Sequence, residues 1–314
     1  MKTLQNALGA MVLVALTLPL AARAGFDLGS ASNYAVLYEG GGNNTLQITN
    51  VTVNFNIGVG GSGKVTDSGP STVNGSIDFS AACTSDGKGG CTQFSNNNTS
   101  NKFTGINYNV SAVTSALNTV NALNTSLGGE SGTNVSIGTG NGQTLTINAT
   151  AGVSDGHGNR VFNVTGFNTT NSDLLTINGD GGDSVVLNFV GLSANFNNQV
   201  KLNGISEDHV LYNFVGGTNL TGGPTLQIND NASSSASNVV QGVFLDPNGS
   251  ISVTNAHIVG RVYGGDSHDM QIVSGDVLDS PTPEPSFLGL LSLGVVGLIG
   301  VHLLRNHRAS SLKS

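Results

Sequence analysis

Apolar and polar residues alternate with a period of two in short runs along the middle of the chain. The runs are Thr45 to Ile57, Gln143 to Ala149, Leu174 to Asn178, Ser184 to Val190, His209 to Val215 and Ser250 to Val253. Alternation of this kind, rich in β-branched residues, predicts strands with one buried face. Asn74-Gly75, Asn141-Gly142, Asn178-Gly179, Asn203-Gly204 and Asn248-Gly249 punctuate the sequence. Asn and Gly tolerate positive φ, so these pairs predict tight corners. No strict repeat period links the runs. The expected architecture is mainly β, either a β-solenoid (β-helix-like) or a β-sandwich.

One segment departs from this pattern. From Val110 to Leu127, the residues Val113, Ala116, Leu117, Val120 and Leu123 recur at helical spacing. Ser111 is the expected N-cap and Gly128-Gly129 the expected stop. A lone amphipathic helix must bury its stripe against a β face, so its role is structural.

The two ends read as addresses. Residues 1–24 have Lys2 in a short basic region, an apolar run from Ala7 to Leu20, and Ala22-Arg23-Ala24 as a small-x-small site. These three zones predict a secretory signal peptide, with a mature chain from Gly25; an N-terminal membrane helix is the alternative. Near the C-terminus, residues 287–304 are largely apolar and, as a helix, would span roughly 27 Å. A transmembrane helix is expected there, with residues 305–314 as a basic cytoplasmic tail. Arg305, Arg308 and Lys313 flank the span and would hold that end inside. The Pro-rich linker, residues 281–286, contains Pro283, Glu284 and Pro285 and should be extended and accessible.

This ordered triplet, span and basic tail resembles the PEP-CTERM sorting signal of Gram-negative bacteria. The resemblance implies an exosortase-type membrane transpeptidase as a partner. It also implies an inner-membrane-anchored precursor with its ectodomain outside the cytoplasm, and a final product at the cell surface or in the extracellular matrix.

Composition narrows what the ectodomain, residues 25–280, can bind. The 314-residue chain has 45 Gly, 10% charged and 5% aromatic residues, and a net charge of -8. Within residues 25–280 there are 6 basic residues against 18 acidic ones, a net of -12. Phosphate backbones would be repelled, so nucleic acid is excluded as a partner. Cations, neutral glycans and other proteins remain, extracellular polysaccharide and surface proteins among them.

The search for chemistry finds little. There is no G-x-S-x-G elbow and no HExxH. Cys83 and Cys91 bracket a Gly-rich loop and, in an exported chain, are expected to form a disulfide worth about 2.5 kcal/mol on the loop-entropy model. Two carboxylate pairs stand on Gly-rich loops, Asp180 with Asp183 and Asp266 with Asp269. Oxygen donors on such loops suit Ca²⁺, which makes Asp180 and Asp183 a candidate metal pair, with a solvated turn as the plainer reading. No other cofactor and no catalytic residue is expected.

Two stretches carry a second resemblance. Leu28 to Leu37 (LGSASNYAVL) is similar to the opening of choice-of-anchor A domains and of ice-binding adhesin-like domains. Val210 to Phe214 (VLYNF), Gln241 to Asn248 (QGVFLDPN) and Ala256 to Gly264 (AHIVGRVYG) follow in the choice-of-anchor A order. Asp246 departs from that pattern, where Ala usually precedes Pro, and is expected to cap the turn. The resemblance implies a β-rich surface domain without catalysis. An ice-binding face would need a regular array of threonines or other small residues. Thr144, Thr146, Thr165, Thr169, Thr170 and Thr176 show no regular T-x-T ladder. The reading is therefore a non-enzymatic surface or matrix protein acting in adhesion or exopolysaccharide structure. An ice-binding or crystal-surface-binding protein is the alternative, and a matrix glycan hydrolase the second alternative.

Overall fold

The computed structural model describes residues 25–279, apart from 43, 99, 139–141, 217–224, 230–238, 266–268 and 275. The expected signal peptide (residues 1–24), Pro283, Glu284, Pro285, the expected transmembrane span and the basic tail with Arg305, Arg308 and Lys313 lie outside the described residues. Among the described residues, no helix is long and apolar enough to cross a membrane.

The chain winds into a three-sided parallel β-solenoid, which decides against the sandwich. One coil shows how. Ile251–Thr254 lies on the first side, and His257–Gly264 bends at Gly260 across the second and third. Met270–Val273 then returns to the first side beside Ile251–Thr254, in register and parallel. Strand pairing is parallel almost throughout, and Val153–Ser154 against Asn159–Phe167 is the antiparallel exception among the named strands. A coil takes 19 residues from Ile251 to its register partner Met270, but 32 from Ala194 to Leu226. The variable loop length at the corners hides the repeat from any fixed-period search.

The stacking order differs from the chain order. Val36–Tyr38, near the N-terminus, inserts between Ile57–Val59 and the C-terminal end of His257–Gly264. Residues 36–107 thus form one stack and residues 133–279 another, with the last coil resting on the first. The helix Ser111–Gly128 carries the chain between the two stacks. Its 18 residues reach about 27 Å, between five and six strand spacings.

Two cores result. Inside the solenoid, equivalent residues of successive coils stack, as with Phe189 on Phe214 (centroids 4.5 Å apart) and Tyr212 on Phe244 (4.6 Å). Outside it, Val113, Ala116, Leu117, Val120 and Leu127 of the helix pack with Phe26, Leu28 and Tyr34 against Leu37, Val186, Leu211, Val243 and Tyr263. Ser184–Val190 and Val210–Val215 are consequently buried on both sides over nearly their whole length. The expectation of one buried face fails there because the helix covers the other.

Several local expectations are also corrected. The run Thr45 to Ile57 is three strands, Thr45–Thr49, Thr52–Val53 and Ile57–Val59, turned by Asn50 at φ 56°. Asn255 (φ 53°) and Ser274 (φ 75°) turn the neighbouring coils at the matching place. Asn74-Gly75 is no corner but lies inside the strand Thr72–Phe79. Val110, not Ser111, occupies the helix N-cap, and no side chain caps it. Main-chain bonds to the solenoid hold this entry instead, from Val110 N–H to Phe79 O (2.9 Å) and from Asn109 N–H to Ala81 O (2.9 Å). Gly129 keeps a right-handed conformation, and Gly128 is required because a Cβ would press on Val215.

Polar atoms lock the helix at one height. Asn124 Nδ2 donates to Asn213 Oδ1 (2.8 Å) and to Phe214 O (2.8 Å). Asn213 Nδ2 donates to Asn188 Oδ1 (2.9 Å), and Asn188 Nδ2 to Leu127 O (2.8 Å). All three asparagines are buried, so each bond replaces water that cannot reach them.

Two outcomes follow for unfolding measurements. Asn124→Ala should cost about 3 kcal/mol in denaturant melts, because it orphans Asn213 and the Phe214 carbonyl in a dry interface. Gly260→Ala should cost more than about 3 kcal/mol, since its φ of 150° and the Gly242 carbonyl both refuse a Cβ. Gly87→Ala, with φ 75° but open space around it, should cost only about 1 kcal/mol.

Candidate functional site

The first side of the solenoid is its most regular surface. Seven parallel strands form it, in the spatial order Ala194–Phe196, Leu226–Ile228, Ile251–Thr254, Met270–Val273, Thr45–Thr49, Lys64–Asp67 and Phe94–Asn96. Each is short, and most alternate inward apolar residues with outward polar ones, although Lys64–Asp67 turns Asp67 inward and Phe94–Asn96 leaves Asn96 exposed. The inward set includes Phe196, Leu226, Ile228, Ile251, Val253, Met270, Ile272, Leu46, Ile48 and Val65, all in the solenoid core.

The outward positions fall in one unbroken register. Asn195 pairs with Gln227, Gln227 with Ser252, and Ser252 with Gln271. Gln271 pairs with Gln47, Gln47 with Thr66, and Thr66 with Ser95. Six intervals of parallel-strand spacing make this row about 28 Å long. Every member is a neutral amide or hydroxyl. Thr254, Val273 and Thr49 form a shorter row beside it. Among the described residues, outward charge on this face stands at the rim, on Lys64 and on Asp269, whose Oδ1 accepts the Thr45 N–H (2.8 Å). A shallow depression of about 280 Å³ lies between Thr45, Gln47, Thr66, Asp269 and Gln271. Such a face can offer donors and acceptors at fixed intervals to an ordered array of hydroxyls or water, without an ionic hydration shell to strip.

The second side differs in kind. It carries Lys102 and Lys201, and His257 Nε2 lies 3.0 Å from Asp279 Oδ2. The sheet of Thr144–Asn148, Leu174–Asn178 and Gln199–Asn203 extends this side, with Asn203 Nδ2 donating to Asn178 Oδ1 and Asn178 Nδ2 to Asn148 Oδ1. Thr146 and Thr176 pair across this sheet, but Lys201 follows them, and Thr144 pairs with Leu174. Thr169 Oγ1 is spent on Asn195 O, and Thr165 Oγ1 on Val135 O. The threonines singled out from sequence therefore make no ladder.

The regular row was missed because it holds a mixture of amides and hydroxyls. A usable signal did exist. Leu46-Gln47-Ile48, Leu226-Gln227-Ile228 and Met270-Gln271-Ile272 repeat one apolar-Gln-apolar triplet.

The other candidate residues lie apart from this face. Asp180 and Asp183 receive a counter-ion from the chain itself, with Arg160 Nε 2.6 Å from Asp183 Oδ2 and 3.3 Å from Asp180 Oδ2. Although burial pushes the Asp180 carboxyl upward, N–H donors of Asp183 and Gly182 together with Arg160 hold it below the usual carboxylate range. Among the described residues, no cluster of three or more His, Cys, Asp or Glu is placed to hold a metal. Asp266 lies outside the described residues. Cys83 and Cys91 are disulfide-bonded, with Cα atoms 5.3 Å apart, in an exposed loop. Asp246, expected to cap its turn, is fully buried, and its carboxylate meets only the Gly249 N–H, at poor geometry. Burial pushes its acid up to about 8, with only the Gly249 N–H drawing it back.

A family model described as "Putative Ice-binding-like adhesive domain" matches residues 19–272. No curated protein sequence matches the chain. Among solved structures, the chain is similar to an ice-binding protein from the Antarctic ascomycete Antarctomyces psychrotrophicus (13% identity, TM-score 0.47, covering 82% of this chain and 100% of that one). It is similar also to an ice-binding protein from an Arctic yeast (15% identity, TM-score 0.49, covering 83% and 97%). A third is the DUF3494 domain of Shewanella frigidimarina ice-binding protein 1 (10% identity, TM-score 0.42, covering 82% and 98%).

Proposed function

The chain belongs to the family of ice-binding-like adhesive domains, and from that premise we propose that it is an exported surface protein that adheres through its seven-stranded face. A family of adhesive domains is one of binding proteins, and the protein is not an enzyme. The hydrolase alternative falls with that.

The observation that carries the reading is the neutral outward row from Asn195 to Ser95, in register over seven strands. Adhesion to a repeating, hydroxyl-presenting surface needs many weak contacts at fixed spacing, held on a rigid support. The row supplies both, because its strands are locked by backbone pairing and an apolar interior. The lack of charge favours neutral surfaces over ionic ones. Two such surfaces fit: extracellular polysaccharide, in keeping with a matrix role, and ice, which the regular spacing and the amide and hydroxyl chemistry favour equally. Export is supported by the disulfide, since such bonds persist in oxidising compartments. Sorting through the Pro283-Glu284-Pro285 signal by an exosortase-type transpeptidase, from an inner-membrane precursor to the surface, completes the reading. So does the kinship with choice-of-anchor A domains.

Arginine at Gln47 or Gln271 would place a hydrated charge in the centre of the row. Each variant should lose ice-recrystallisation inhibition and retention on matrix polysaccharide while unfolding at the wild-type temperature. Unchanged binding by both variants to both surfaces would remove the face from consideration. Replacing Pro283, Glu284 and Pro285 by Ala should leave the precursor in the membrane fraction, whereas unaltered release into the medium would sink the sorting route.

A further inference from the structure

Phe94–Asn96 on the first side and Lys102–Asn107, which crosses the second and third, form the terminal coil at one end of the solenoid. Each pairs along one edge, with Lys64–Asp67 and Thr72–Phe79, and among the described residues no strand lies along the other. The inward side chains are open in the same direction. Phe94, Phe103 and Ile106 are only partly buried, whereas their register partners one coil further in, Val65, Val73 and Ile77, are at most 1% exposed. An unpaired edge over an apolar end is a template for another strand. The opposite end offers no such edge. There Val153–Ser154 lies antiparallel on Asn159–Phe167, and Thr169 Oγ1 already donates to the Asn195 carbonyl.

We propose that this terminal coil docks on the same coil of a second copy of the chain, about a two-fold axis. The occupant must meet edge strands on three sides at once and cover the apolar end between them, and another solenoid end has that cross-section. One axis serves both strands. Passing through Ser95 and the corner beside Gly105, where the register with Thr72–Phe79 shifts, it lays Phe94–Asn96 antiparallel on its own copy. The same rotation sets Phe103 opposite Ile106 and Lys102 opposite Asn107. Lys102 is the one charged residue of the two strands and meets an amide, so no like charges face each other. The two outward rows would then join at Ser95 on one side of the dimer, spanning thirteen strand intervals, about 61 Å. Doubling the contacts on one rigid support raises avidity without any new chemistry, and only this consequence rests on the adhesive reading.

A single cysteine tests the interface, because on the axis residue 95 faces its own copy at a separation a disulfide can span. The native Cys83 and Cys91 are already paired with each other. Full-length Ser95→Cys, mildly oxidised, should run at twice the chain mass on a non-reducing gel. Ser252→Cys and Asn195→Cys, at the middle and far end of the row, should run as single chains. Ser95→Asp, which sets like charges directly opposite, should weaken the self-association seen by light scattering about 10-fold or more and leave the unfolding temperature unchanged. A wild-type protein that stays monomeric at every concentration, a Ser95→Cys variant that does not cross-link, or equal cross-linking through residue 195 or 252 would each overturn the interface. None of these readouts depends on what the neutral face binds.

Discussion

The structure depends on one junction, where Val36–Tyr38 pairs with Val262–Gly264 while Met270–Val273 and Val277–Leu278 pair with Leu46–Thr49 and Thr52–Val53 on the other sides. It joins the coils nearest the N-terminus to the last coil of the chain. Without it, the seven-stranded side would divide between Met270–Val273 and Thr45–Thr49, and its outward row would end at Gln271. The junction is secured from outside the solenoid. Arg261, fully buried, forms a bidentate pair with Asp208 (2.8 and 3.2 Å) and donates to the Ser32 and Tyr34 carbonyls. Tyr263 Oη donates to Ala31 O and Tyr34 O. A long-range contact between residues more than 220 apart carries a large loop-closure cost, and these buried polar bonds help to offset it by fixing a single register.

Much of this was legible in the chain. Leu174 to Asn178 and Ser184 to Val190 are strands with the bounds that their alternation predicts, and the stripe of the helix sits where its spacing puts it. The stacking of the last coil on the first was not legible, because pairing between distant segments leaves no local pattern. Nor were the corners at Asn50, Asn255 and Ser274, where a single left-handed residue does the work sought in Asn-Gly pairs.

The family-like strings have a clear place. Val210 to Phe214 and the later parts of Val239–Asp246 and His257–Gly264 lie side by side on the helix-covered side, ending against Val36–Tyr38. They carry the second core and the junction, so the resemblance they support is one of architecture. The neutral row draws on other strands, whose outward residues are polar, uncharged and in step. Asn, Gln, Ser and Thr all meet that demand, so no single residue type marks the face in the sequence.

The place where the described chain leaves the solenoid gives it a mechanical direction. Val277–Asp279 lies on the second side at mid-stack, between His257–Gly264 and Thr52–Val53. Asp279, the last described residue, pairs with Val259 and so stands beside the corner marked by Gly260, the vertex opposite the seven-stranded side. A pull on that end acts away from the neutral face and enters the stack at the junction of its two halves, through a strand clamped on both edges. A load applied at Asp279 against one on the seven-stranded side would therefore pass across the body of the solenoid rather than along its length.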